Sequence, residues 1–256
     1  MATTVIFVPG AWHGPEVWHQ VGERVKEAGF DIEFVRLPSV GPAEYVQDLQ
    51  PDVAAIRRPV ADAVEAGRQV VLVMHSYAGV PGCEAVHGLD LKTRQIEGKS
   101  GGVAHLFFCC SFLIPAGRSM FEALGSQEAP WWRVAPDRQS VNVHNPEDTF
   151  YNDLPKSEAK AWTAELRPQS FQTKLTRVRY ASWQTVPSTY LYCEKDNALP
   201  IFVQKMMVEE FARGYSIRTE TLASSHSPFL SMIEETAAAI LRAIEATSPI
   251  SVVRVA

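Results

Sequence analysis

Ser76 follows the apolar run Val70-Val71-Leu72-Val73-Met74 and His75, and the small residues Ala78 and Gly79 come just after it. A continuous run rich in β-branched residues reads as a strand buried on both faces. A serine at the end of such a strand stands where a nucleophile elbow turns into a helix and leaves its hydroxyl exposed. The usual elbow pattern is Gly-x-Ser-x-Gly, and here Met74 and Ala78 occupy the flanking positions. Ala78 is small enough for the turn, whereas Met74 implies roomier packing on its side. Taken alone, the serine serves equally well as the N-cap of the following helix.

A serine hydroxyl is a weak nucleophile. It needs a base within hydrogen-bond reach, and the base needs an acid that fixes its tautomer. After a strand-to-helix elbow, the acid and then the histidine follow in chain order. Thr189-Tyr190-Leu191-Tyr192-Cys193 reads as a late strand, with Glu194 and Asp196 just beyond it. Asp196 lies further past the strand, in a loop closed by Pro200, which suits a carboxylate turning back toward a histidine. Glu194 is the alternative acid. His226 lies in the small-residue loop Ala223-Ser224-Ser225-His226-Ser227 after the last core strand. A tetrahedral intermediate also needs two N–H donors. The Tyr77 amide, next after the serine, is one candidate. The Ala11 amide is the other, in the loop Val8-Pro9-Gly10-Ala11-Trp12-His13-Gly14, where Gly10 allows close backbone approach. A plain turn before a helix is the alternative for that loop.

These loops have to be held by regular elements. Residues 4–8, 31–37, 69–74, 103–110, 188–193 and 216–222 read as strands. Helical spacing links Val17, Val21, Val25 and Ala28, and recurs over 52–66. A further helix starts near Tyr77 and fades at Gly88. Two more carry Ile201, Met206, Val208 and Phe211, then Phe229, Ile233, Ala237, Ile240 and Ile244. Strand alternating with helix predicts an α/β fold: a mostly parallel central sheet with helices on both faces. Residues 89–102 are polar and glycine-rich and read as a surface loop. Residues 114–185 break the rhythm, with six prolines and Trp131, Trp132, Trp162 and Trp183. They read as a cap insertion over a pocket at the carboxyl ends of the strands, where ligand sites of open α/β sheets lie; an ordinary set of extra surface helices is the alternative. The expected organisation is a core of residues 1–113 and 186–256 with the cap 114–185 between its halves. The tail 248–256 reads either as a short strand or as a loose end.

The chain has 256 residues, 46% of them hydrophobic, enough for one large domain with a deep core. A net charge of −5 offers no basic footprint, which argues against nucleic acid and anionic membrane surfaces as partners. No apolar run approaches the ~20 residues that span a bilayer. The N-terminus has no basic region ahead of its apolar stretch and reads as the first strand rather than a signal peptide. Cys83, Cys109, Cys110 and Cys193 fit free thiols in a reducing compartment, so a cytoplasmic location is expected. There is no CxxC, and the seven histidines show no metal-ligand spacing, so neither metal nor cofactor is expected.

The segments Pro9-Gly10-Ala11-Trp12-His13-Gly14, His75-Ser76-Tyr77-Ala78-Gly79, Cys193-Glu194-Lys195-Asp196-Asn197-Ala198-Leu199-Pro200 and the His226 loop resemble the α/β-hydrolase superfamily. Within it they resemble the plant methylesterase and hydroxynitrile lyase group and its microbial relatives. The resemblance implies the α/β-hydrolase fold and a catalytic triad of Ser76 as nucleophile, Asp196 as acid and His226 as base. It also implies the Ala11 and Tyr77 amides as the oxyanion hole. Lyase members resembling this chain carry a threonine in the first loop and a lysine directly after the histidine, where this chain has Gly10 and Ser227. The implied activity is therefore that of a cofactor-free serine esterase acting on a small or medium apolar ester, lactone or thioester through an acyl-enzyme. The alternatives are a lyase or lactone-forming cyclase of secondary metabolism, and a non-catalytic small-ligand receptor on the same fold. Trp12, Tyr77, Phe112, Phe121, Trp131, Trp132 and Phe229 are the candidate pocket residues, with ordinary core packing as the alternative for each, and a monomer or homodimer is the expected assembly.

Overall fold

Among the described residues nine strands are formed: β1 (Thr3–Val8), β2 (Asp31–Phe34), β3 (Gln69–His75), β4 (Gly102–Cys109), β5 (Trp132–Val134), β6 (Ser140–Val143), β7 (Gln169–Ser170), β8 (Ser188–Cys193) and β9 (Ile217–Leu222). The computed structural model describes residues 2–247, and the tail reading for 248–256 lies outside them. Six strands make one sheet in the order β2-β1-β3-β4-β8-β9, and every neighbouring pair in it is parallel. Every residue of β4 and β8 is buried, as are all of β3 after Gln69. Successive side chains of a strand point to opposite faces, so helices cover the sheet on both sides.

The ten α-helices are α1 (His19–Glu27), α2 (Gln50–Glu65), α3 (Gly79–Ala85), α4 (Leu91–Ile96), α5 (Met120–Ala123), α6 (Pro146–Phe150), α7 (Lys156–Glu165), α8 (Ile201–Met206), α9 (Pro228–Ser231) and α10 (Ile233–Glu245), among the described residues. Helix α1 packs against α10, and α2 against α3. Among the described residues no helix is long and apolar enough to cross a membrane.

Strand β1 lies between β2 and β3, so the chain leaves it in one direction and returns on its other side. Such a reversal opens a crevice at the carboxyl ends of the strands. The register pairs Val8 with Met74, which brings the loop after β1 alongside the turn after β3. That pairing sets Ala11 near Ser76, although 65 residues separate them in the chain.

Two expectations change. Strand β2 stops at Phe34 rather than 37: the Val35 amide still donates to the Phe7 carbonyl at 3.0 Å, but Pro9, the next donor on the β1 side, has no N–H to continue the ladder. Residues 89–102 are not all loop, since α4 occupies Leu91–Ile96. Asp90 caps that helix by accepting the Thr93 amide at 2.9 Å, and its one inward residue is the buried Arg94, bonded to the Gly101 and Val64 carbonyls. A helix this short, facing the core through a charged residue, carries no apolar periodicity. Between β4 and β8 the chain builds a small antiparallel sheet, β5-β6-β7, with α5, α6 and α7 around it.

Candidate active site

The turn after β3 is strained and tightly held. Ser76 has φ +52°, in the left-handed region. For a non-glycine residue that conformation costs about 1–3 kcal/mol and persists only where the surroundings impose it. Here the Ser76 carbonyl accepts the Phe112 amide at 2.9 Å and the Ser111 hydroxyl at 2.7 Å. Gly79 lies so close that a Cβ there would sit 2.1 Å from the Phe112 carbonyl oxygen. Gly10 lies against the same turn, and its Cβ would fall 2.7 Å from His75 Nδ1 and 2.9 Å from Ser76 Cβ. Met74, the unusual residue of the motif, is accommodated by Gly82 on α3, where a Cβ would meet the Met74 sulfur at 2.4 Å.

Three side chains from three loops form one hydrogen-bonded line. His226 Nε2 lies 2.9 Å from Ser76 Oγ, and His226 Nδ1 lies 2.6 Å from Asp196 Oδ2. All three residues are buried. The carboxylate can only accept from Nδ1–H, which leaves Nε2 free to accept the serine proton. Asp196 is itself anchored: its Oδ1 accepts the amides of Ala198 at 2.8 Å and Leu199 at 2.7 Å, and Gln204 Nε2 donates to its Oδ2 at 3.3 Å. Glu194, the alternative acid, is exposed.

The two amides foreseen as donors are both available. Among the described residues no carbonyl accepts the Ala11 amide. Tyr77 lies in the first turn of the 3-10 segment Ser76–Ala78, where amides have no partner within the helix. Two further histidines, which sequence reasoning missed, brace this corner. The Gly10 amide donates to His75 Nδ1 at 3.2 Å, and His75 Nε2–H donates to the His226 carbonyl at 2.9 Å. His13 Nδ1–H donates to the Ala11 carbonyl at 2.7 Å, and its Nε2 accepts the Tyr151 hydroxyl at 2.8 Å. Burial holds His75 well below the usual imidazole range and pushes His13 down to about 4. Both are therefore neutral struts. The only signal in the chain was their place beside the two motifs.

Ser76 and His226 open on a small cavity of about 30 Å³, room for a water or two. Trp12, Tyr77, Phe112, Trp131 and Trp132 line it, beside Ala11. Met120, Leu124 and Ala129, from the segment between β4 and β8, also line it, as do Ala198 and Leu199 from the Asp196 loop. Phe121 and Phe229 do not. Met120 opens α5 and Leu124 caps its C-terminus, and the two, four residues apart, face the cavity, which carries Phe121 off that face. Phe229 lies behind the site, its ring 4.5 Å from that of Trp18 and 4.7 Å from that of His75.

Among the described residues, two sets of three buried donors each lie within 4.8 Å of one another: His75, Cys110 and His226, and Cys109, Cys110 and Cys193. The ring nitrogens of the first set are all engaged in the hydrogen bonds above. In the second, burial pushes the Cys110 and Cys193 thiols up, while hydrogen bonds from those two thiols bring Cys109 down to about 5 against its own burial.

Residues 5–239 match the alpha/beta hydrolase family. The alpha/beta hydrolase nvfD of Aspergillus novofumigatus is 31% identical over 230 residues, covering 89% of this chain and 90% of that protein. Among solved structures, a pyrethroid hydrolase from Sphingobium faniae superposes with a TM-score of 0.74 at 22% identity, covering 96% of this chain and 98% of its own. Polyneuridine aldehyde esterase does so with a TM-score of 0.75 at 16% identity, covering 94% of this chain and 99% of its own. At such identities these two speak to the fold alone. The family match and the full-length relative together place the chain: it belongs to the alpha/beta hydrolase family.

Proposed function

We propose that the protein is a serine hydrolase cleaving a small or medium apolar ester, lactone or thioester without a cofactor. The observation that carries this reading is the unbroken line Ser76–His226–Asp196 beside two unengaged amides. Ser76 Oγ attacks the acyl carbon while His226 Nε2 takes its proton. Asp196 stabilises the imidazolium that results. The Ala11 and Tyr77 amides receive the oxyanion, and His226 then returns the proton to the leaving alcohol or thiol. Water activated by the same histidine releases the acyl group.

Residues 114–185 act as a cap in this reading, because Met120, Trp131 and Trp132 close the cavity from their side. A site with room for one or two waters admits substrate only when that side opens. Its aromatic lining favours apolar acyl or alcohol groups. The neighbours named esterase and pyrethroid hydrolase support ester chemistry. Ser227 also favours it over cyanohydrin cleavage, because a buried neutral hydroxyl stands beside His226 where a departing cyanide needs a cation. The four buried free cysteines fit the cytoplasm. The tightness of the cavity supports a second reading, in which a substrate hydroxyl captures the acyl-enzyme and forms a lactone.

A panel of p-nitrophenyl esters and a fluorophosphonate probe test the proposal together. Ester turnover, labelling of Ser76 alone, and a loss of several orders of magnitude in Ser76→Ala are the expected results. Labelling at another serine, or near-normal turnover by the variant, would remove the proposal. An inert protein that still binds apolar ligands would be a receptor.

A further inference from the structure

Lys174 closes the 3-10 turn Phe171–Lys174 of the insertion and is completely buried. Among the described residues no carboxylate forms an ion pair with it. Its ammonium donates to Gln169 Oε1 and otherwise faces aromatic rings: Trp12 at 4.7 Å, Tyr77 at 4.9 Å and Trp132 at 5.3 Å from the ring centres. A desolvated cation is costly unless its surroundings compensate, and ring faces do so. Asp52 on α2 is the charged group that acts on it, from a distance. Asp52 accepts the Ser39 amide at 2.9 Å and the Tyr77 hydroxyl at 2.8 Å, while Gln169 Nε2 donates to Ser39 Oγ at 3.1 Å. Lysine, glutamine, serine, aspartate and tyrosine thus form one closed buried network.

Two of the three rings belong to the residues that build the anion-binding corner. Tyr77 carries one amide donor, and Trp12 directly follows Ala11, which carries the other. Trp12 has φ +65°, a conformation that persists only where the surroundings impose it, and its indole N–H donates to the Val141 carbonyl at 2.8 Å. We propose, resting on the serine hydrolase reading, that Lys174 is a positioning residue: its ammonium clamps the Trp12 and Tyr77 rings so that the Ala11 and Tyr77 amides converge, and its charge behind them favours the oxyanion. Lys174, Gln169 and Trp132 come from the insertion, and Trp12, Asp52 and Tyr77 from the core. The clamp therefore forms only when the insertion is seated.

The clamp titrates. Burial pushes the Lys174 amine down to about 7, opposed by Asp52. Of the other groups facing it, Tyr77 stays neutral because burial raises its hydroxyl well above the usual range. Gln169, Trp12 and Trp132 carry no titratable proton in this range. The ammonium is present below about pH 7 and lost above, so kcat should fall on the alkaline side with KM little changed.

The test measures kcat and KM for a p-nitrophenyl ester, and the rate of Ser76 phosphonylation by a fluorophosphonate, across pH in the wild type, Lys174→Met and Asp52→Asn. In Lys174→Met, kcat and the phosphonylation rate should drop on the order of 10–100-fold at low pH, and the alkaline fall should vanish. In Asp52→Asn the fall should move to lower pH, because the charge that raises the lysine is gone. A folded Lys174→Met with wild-type kcat and an unchanged profile overturns the proposal. Should that variant not fold, an unmoved alkaline limb in Asp52→Asn overturns it instead. A wild type inert to both ester and probe would take down the hydrolase reading, and the clamp with it.

Discussion

At the scale of single residues, the carboxylate that partners His226 is singled out by its surroundings. Asp196 faces Nδ1 at 2.6 Å and is held by two backbone amides, so its lone pairs are committed before any reaction begins. Asparagine in its place keeps the shape but can donate to Nδ1, which turns the histidine into the wrong tautomer. Asp196→Asn should therefore cost on the order of 10⁴ in kcat, while Glu194→Gln, at an exposed position, should change kcat by less than about twofold. Steady-state kinetics on one ester decides this, and reversed losses would make Glu194 the acid. Asp196 was legible in the chain because a loop after a late strand is a topological address. His13 and His75 were not legible as struts, because their partners Tyr151 and Gly10 stand 138 and 65 residues away in sequence. The same distance hid Lys174, which looks like any surface lysine until three aromatic rings converge on it.

At the scale of elements, the long buried strands announced themselves and the short pieces did not. Strands β3, β4 and β8 are apolar along almost their whole length, so their positions could be read within about a residue. Strands β5 to β7 have two to four residues each and show no period. Of the anticipated pocket residues, Trp131 and Trp132 face the cavity, and Phe121 was misplaced because nothing in the chain specified the rotation of α5. The elbow itself depends on what cannot be fitted rather than on what is present. Gly79 stands against the Phe112 carbonyl with no room for a methyl group, and that same stretch holds the strained Ser76 through Ser111 and the Phe112 amide. Gly79→Ala should force the backbone apart and cost about 3 kcal/mol or more of stability. Urea unfolding measures this. A variant with an unchanged midpoint would mean that the turn is far more compliant than its contacts imply.

Over the whole molecule, burying neutral histidines makes the fold sensitive to acid. His13 and His105 are pushed down to about 4 by desolvation, and His75 lies well below its usual range for the same reason. In the unfolded chain each returns to about 6.5. Above that value both states are neutral and the three sites do not affect stability. As pH falls below it, the unfolded chain takes up protons that the folded chain refuses, so stability declines, and the contributions of His13 and His105 level off near pH 4. For His13 alone the difference amounts to roughly 3 kcal/mol, a large share of the stability of a typical domain. His13→Asn should reduce the dependence of unfolding free energy on pH between about 6.5 and 4 by close to one proton. The expected comparison is a wild-type stability that falls over this window with a slope of several protons against a variant slope that is smaller by one. Identical slopes would show that His13 is protonated in the folded state. In that case the strut between the Ala11 carbonyl and Tyr151 could not be the neutral one its hydrogen bonds describe, because a protonated ring would present Nε2–H to the tyrosine and require its hydroxyl to accept.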